Sequence, residues 1–164
     1  MPKLQKKKQF SIFKLLASLL LPFIAAVIGS LFTFSAIPSW YQTLHKPIFT
    51  PPNGIFGPVW TILYILMGIS FFLVWQSKNK KNKLPAYYLF FIQLILNALW
   101  SIIFFGLHAL FSSVICILAL WMFIFLTILF FYKFSKTASV LLIPYICWVS
   151  FASLLTFFIY SLNK

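Results

Sequence analysis

The chain has 164 residues, 63% of them hydrophobic and 21% aromatic, well above the roughly 45–50% apolar content of soluble domains. All 13 charged residues are lysines, with no Asp and no Glu, giving a formal net charge of +13. This excludes paired-carboxylate hydrolases, carboxylate-held metal sites, Ser-His-Asp triads and proton relays or antiporters driven by an intramembrane acid.

Apolar runs of about 20 residues cross hydrocarbon as helices, because a helix satisfies its own backbone where no water can. Five charge-free runs predict an all-α integral membrane protein, a five-transmembrane-helix bundle in a single domain over 1–164. The first, 15–37, follows Lys3, Lys6, Lys7, Lys8 and Lys14. A basic start and an apolar core also resemble a signal peptide, but the run is too long for a usual h-region and reads as a retained helix. Within it Ala25, Gly29 and Thr33 recur every four residues, with Ala26 and Ser30 alongside. Small stripes let helices approach closely in lipid, so this is a packing face, inside the bundle or between two copies.

The loop 38–57 is the only long one. Pro38, Pro47, Pro51 and Pro52, with Pro58 just beyond, prevent a continuous helix and stiffen the segment, which suits a lid carrying His45, Lys46, Pro47, Pro51 and Pro52. On the second run, 56–76, Trp60, Tyr64 and Met67 share a side, next to Gly68. On the third, 85–107, Asn97, Trp100, Ser101 and Phe104 share another. The connection from Gly106 to Ala109 is so short that the third and fourth runs must be antiparallel neighbours; His108 within it reads as a surface residue. The fourth run is 109–132 and the fifth 138–162, on which Tyr145, Trp148, Ala152 and Leu155 line up. Cys116 and Cys147 read as buried, inert thiols.

The lysines sit in short clusters beside these helices, which points to lipid headgroups and topology and away from nucleic acid. With five spans, eleven of the thirteen fall on one face, and only Lys46 and Lys164 on the other. The positive-inside rule then places the N-terminus in the cytoplasm of a bacterial cell membrane.

Three helices thus present aromatic and polar stripes. A mid-helix amide such as Asn97 or Gln93 is costly in lipid unless it meets a partner, water or a ligand, so both mark the interior, as interhelical glue or as ligand contacts. A hollow walled by indole and phenol rings without fixed charge suits a flat, largely apolar ligand. Carboxylates on that ligand would find His45 and Lys46 in the lid, unless Lys46 merely snorkels to the interface. Nothing in the residues requires a cofactor or indicates a metal site.

The segments "GSLF", "WYQTLHKPIFTPPNGIFGPVWTILYILMG", "LNALWSIIFFG" and "PYICWVSFASLL", in this order along the whole chain, resemble the translocator-protein or tryptophan-rich sensory protein (TspO/MBR) family. The resemblance implies a homodimeric five-helix receptor or carrier binding porphyrins such as protoporphyrin IX or haem and, in some members, sterols. By position, it implies a ligand cavity including Trp60, Tyr64, Asn97, Trp148, Ala152 and Leu155, beneath the Pro-rich lid. It also implies, for some bacterial relatives, light- and oxygen-dependent porphyrin breakdown, in which residues matching Trp60 and Trp148 would be catalytic. A third reading is a structural or regulatory membrane protein whose stripes only pack. Where the family has Leu-Asn followed by Tyr in the last helix, the chain has Leu155, Thr156 and Phe157, although Leu155, Tyr160 and Lys164 fit the loose sterol-recognition consensus. It departs also at Ser112, where the family has Trp, and at Cys116, where it has an acid.

Overall fold

A computed structural model of the chain describes residues 11–164, so the calls on Lys3, Lys6, Lys7 and Lys8 lie outside the described residues. Among the described residues five helical spans are long and apolar enough to cross a membrane. They comprise α1 (Ile12–Ala36), α3 (Asn53–Gln76), α4 (Leu84–Ser101) with a π-helical turn at Ile102–Gly106, α5 (Leu110–Tyr132), and the pair α6 (Lys136–Leu141) and α7 (Ile143–Leu162). The short α2 (Trp40–Thr43) lies in the lid. The chain is an all-α, multi-pass integral membrane protein. Its outer surface carries exposed large apolar side chains such as Phe13, Leu31, Ile62, Phe111, Leu118 and Phe157, a surface that only lipid tolerates.

The element ends follow local chemistry. Ser11 caps α1 by accepting from the Lys14 N–H, and Ser135 caps α6 by accepting from the Ala138 N–H at 3.2 Å, each satisfying an orphan donor. Pro85 and Pro144 sit in the first turns of α4 and α7, where a missing N–H costs nothing. α3 starts directly after Pro52, three residues before the apolar run begins, so the end of the loop is already helical.

Around the bundle α1 packs on α3 and α4, α4 on α5, and α5 on α6 and α7. The ring closes unevenly. At one end Ser70 Oγ donates to the Ala138 carbonyl at 2.7 Å and Ser139 Oγ to the Ile128 carbonyl at 3.0 Å, pinning α6 to both α3 and α5. Beyond that clamp α3 scarcely touches α7. The second and fifth spans therefore meet at the Lys136 end and part toward the lid, leaving a hollow.

On the opposite flank α1 and α3 cross closely. A Cβ on Gly68 would stand 2.8 Å from Leu19 Cα and 3.0 Å from the Ser18 carbonyl oxygen. That carbonyl lacks its usual helical donor because the residue four positions on is Pro22, which has no N–H. Glycine at 68 is what allows the backbones to touch.

The π-helical turn ends α4, with the Leu107 N–H donating to the Ile102 carbonyl at 2.8 Å and the Ala109 N–H to the Ile103 carbonyl at 3.1 Å. His108 then reverses the chain with φ 54°, the left-handed region that a non-glycine residue rarely adopts. Its exposed ring stacks on Trp40 at 4.0 Å and 14°, tying the turn to α2.

Candidate functional site

The hollow between α1, α3, α4 and α7 has a volume of about 490 Å³, within the 300–1,000 Å³ range of small-molecule sites. Trp60, Tyr64, Trp100, Phe104, Trp148, Ala152 and Leu155 all line it, bringing the stripes of three spans to one place. Aromatic pairing fixes the walls. Trp60 stacks on Tyr64 at 5.5 Å and 26°, Trp100 stacks on Phe104 at 5.5 Å and 23°, and Phe56 meets Trp148 edge-on at 6.0 Å.

Asn97 and Tyr145 are not on the lining; they form the floor beneath it. Tyr64 Oη donates to Asn97 Oδ1 at 2.8 Å, Asn97 Nδ2 donates to Tyr145 Oη at 3.1 Å, and Tyr145 Oη donates to Gln93 Oε1 at 2.9 Å. This buried chain links α3, α4 and α7 and uses both ends of the Asn97 amide. Only its first member, Tyr64, reaches the hollow, which makes the chain a rigid base that orients the Tyr64 ring. Gln93 Nε2 has no partner among the described residues.

The lid differs from the expectation. His45, Lys46, Pro47, Pro51 and Pro52 do not line the hollow; Tyr41, Asn53, Gly54, Phe56 and Gly57 cover it instead. The physical reason is that the lid residues are bonded among themselves and to the C-terminus. Lys46 Nζ donates to the Tyr41 carbonyl at 2.6 Å and lies 4.7 Å from the Tyr41 ring centroid, folding the loop onto itself. The Asn163 amide clasps the His45 backbone in both directions, accepting from its N–H at 2.9 Å and donating to its carbonyl at 2.8 Å. Burial raises the Tyr41 phenol above its ordinary pKa, so this residue roofs the hollow as a neutral group.

The wall supplied by α1 is what the sequence reading missed. Ala26, Gly29, Ser30 and Thr33 border the hollow, with Phe23 and Phe34 at the ends of that strip. The small stripe was visible, but small residues signal a close helix, an interface or a space with the same pattern. Here Gly29 serves two of these: a Cβ there would come 3.0 Å from Ser101 Oγ, while its neighbours face the space. Thr156 on α7 also lines the hollow, its hydroxyl turned back to the Ala152 carbonyl at 2.8 Å. Thr33 and Thr61 likewise donate to their own helices, at 3.0 and 2.9 Å, so these three hydroxyls offer lone pairs and no free proton.

Among the described residues the lining carries no charged side chain. No group of three or more His, Cys, Asp or Glu side chains that could hold a metal occurs among the described residues. What the arrangement does offer is indole edges and faces from three spans. Two indole nitrogens, Trp100 Nε1 and Trp148 Nε1, are buried without a hydrogen-bond partner among the described residues. Away from the site, Cys116 is buried, 3.7 Å from the Leu96 carbonyl oxygen, whereas Cys147 is exposed, because α7 turns that position outward. Ser112, on the outer side of α5, is exposed too.

The sequence profile of the TspO/MBR family matches residues 18–162. The chain belongs to the TspO/MBR family. It is 46% identical over 153 residues to the tryptophan-rich protein TspO of Archaeoglobus fulgidus, covering 93% of this chain and 99% of that protein. It is 48% identical over 136 residues to the protein of the same name from Chlorobaculum tepidum, covering 82% and 86%. The human translocator protein is 33% identical over 147 residues, covering 88% and 86%. The match reaches into all five spans.

Proposed function

We propose that this TspO/MBR protein is a membrane receptor or carrier that takes a flat, largely apolar tetrapyrrole of the protoporphyrin IX type into the cavity beneath its lid. The observation that carries the reading is the convergence of Trp60, Trp100 and Trp148, from three different spans, on one uncharged hollow of about 490 Å³. Indole rings bind planar π systems by stacking and edge contacts and tolerate no competing water there. The fourth wall, of small residues on α1, leaves open the space that larger side chains there would fill. Sterols, flat but aliphatic, fit the same apolar lining less specifically.

The test is a titration of purified protein with protoporphyrin IX, followed by tryptophan quenching. Saturable quenching is expected, weakened by about tenfold or more in the Trp60→Phe, Trp148→Phe variant, since each lost aromatic contact is worth roughly 0.5–1.5 kcal/mol. Equal affinity in that variant rejects the pocket.

A second reading, photo-oxidative breakdown of the bound pigment, draws on the placement of oxidisable Trp60 and Trp148 rings on the lining with no carboxylate chemistry nearby. It requires new pigment products that depend on light, dioxygen and Trp148. Their absence leaves binding as the activity.

The lysine-rich end of the bundle, with Lys14, Lys78, Lys80, Lys81, Lys83, Lys133 and Lys136, faces the cytoplasm in this reading, and the lid and Lys46 face away. Impermeant thiol labelling of single cysteines placed at 80 and at 48, in a background lacking the native thiols, distinguishes the two orientations.

A further inference from the structure

The end of the bundle away from the cavity carries a second feature. Seven of the described lysines gather there, and the chain has no Asp or Glu with which any of them can pair. The segment that bears most of them is built, not loose. Ser77 Oγ donates to the Phe134 carbonyl at 3.0 Å and Asn79 Nδ2 to the Lys133 carbonyl at 2.9 Å, stapling the α3–α4 linker to the α5–α6 turn. Asn79 Oδ1 and Asn82 Oδ1 each accept a backbone N–H two residues on, at 3.0 Å, fixing the linker's own turns.

Two ammonium groups from separate elements then converge on Trp75. Lys83 Nζ, from the linker, donates to the Trp75 and Ser77 carbonyls at the C-terminus of α3. Lys14 Nζ, from the first turn of α1, stands 5.5 Å from the centroid of the Trp75 ring. Both side chains are half-buried. The two charges repel: burial, and then Lys14, hold Lys83 below the ordinary lysine pKa, and among the described residues the two ammonium groups meet neutral carbonyls and a ring face. An external anion between them relieves that repulsion. Exposed Phe13 sits beside Lys14 on α1, and exposed Leu16 and Leu20 continue from Phe13 along the face of the helix next to the one that bears Lys14, so the anion that fits is one carrying its own hydrocarbon.

We propose that Lys14 and Lys83, flanking Trp75, form a docking site for the phosphate of an anionic phospholipid, whose acyl chains lie along the outer face of α1. The remaining lysines supply a field that concentrates such lipids at this end. This site is separate from the cavity and independent of what the cavity binds.

The experiment uses the full chain in detergent, with phosphatidylglycerol or phosphatidylcholine of the same acyl chains added and bound lipid read by native mass spectrometry. Phosphatidylglycerol is expected to be retained over phosphatidylcholine, and the Lys14→Gln, Lys83→Gln variant to bind it roughly thirtyfold more weakly, about fivefold per lysine. The Lys80→Gln, Lys81→Gln variant, of the same net charge, is expected to change binding less than twofold, and Lys14→Arg, Lys83→Arg to restore it. Equal losses in the two glutamine pairs, or no lipid preference, overturns the site. Equal competition by inorganic phosphate at the same concentration overturns its assignment to a lipid. If the double variant does not fold, Lys14→Gln alone decides, since it removes no hydrogen bond; unchanged binding there contradicts the proposal.

Discussion

Replacing Asn97 with leucine, of nearly the same shape, tests whether the floor of the cavity is held by its hydrogen bonds or only by packing. The amide is buried and spends both ends, on Tyr64 Oη at 2.8 Å and Tyr145 Oη at 3.1 Å. Leucine removes the one acceptor that the Tyr64 hydroxyl has among the described residues, and an orphaned buried hydroxyl costs about 1–3 kcal/mol. Tyr145 loses a donor but keeps Gln93 Oε1 as acceptor, a loss near the ~0.6 kcal/mol average for hydrogen bonds between membrane helices. The sum is a destabilisation of about 1.5–3.5 kcal/mol. Tyr64→Phe removes the stranded hydroxyl, so adding it to Asn97→Leu should recover about 1 kcal/mol or more, a coupling that a double-mutant cycle isolates. The assay is reversible unfolding in mixed micelles, with protoporphyrin IX affinity measured on the folded variants. A cost below about 0.5 kcal/mol with no coupling would refute the reasoning, because the four-residue chain would then contribute no more than generic packing.

Gly68→Val should destabilise by about 1–3 kcal/mol, since its Cβ meets the Leu19 backbone and not a flexible tip; unfolding midpoints equal to wild type contradict the close crossing. Asn163→Ala should speed amide exchange at His45 by roughly tenfold and hasten ligand release, as two bonds of about 0.5–1.5 kcal/mol clasp that backbone; unchanged exchange shows the lid is held elsewhere. Lys46→Ala should weaken binding of protoporphyrin IX more than of its dimethyl ester, because only the free acid can draw the ammonium from the Tyr41 carbonyl; equal effects remove Lys46 from recognition. Lys83, with a folded pKa held below its ordinary value, opposes folding while charged and stops doing so as pH rises from that folded pKa toward about 10.5. Wild-type stability should therefore gain on that of Lys83→Gln over that window, and phosphatidylglycerol should flatten the gain. A difference that is constant or falls with pH contradicts the sign.

The spans were readable because charge-free stretches of this length have few other folds available, and their ends shifted only where local chemistry outweighed hydropathy. α3 begins at Asn53 because Pro52 pre-sets the entry, and α6 takes in Lys136 because Ser135 caps it. Helical spacing alone puts Trp60, Trp100 and Trp148 on the stripes of three spans and leaves packing and a shared hollow both open as readings of those stripes. The α1 wall could not be assigned to that hollow, because Ala26, Ser30 and Thr33 spell close packing and open volume identically, and the parting of α3 from α7 depends on a clamp at Ser70 far along the chain. The π-helical turn and the clasp of His45 by Asn163, 118 positions away, leave no local signature. Cys147 sits one residue from Trp148 yet points outward, a reminder that one position is 100° of helix.

The most direct test of the cavity as a pigment site is a structure determined with protoporphyrin IX at saturation. Density for the macrocycle is expected between Trp60, Trp100 and Trp148 and the Ala26–Ser30–Thr33 strip of α1, with its carboxylates toward Asn53 and the lid. Density on the outer, lipid-facing surface with the hollow unchanged would contradict the account.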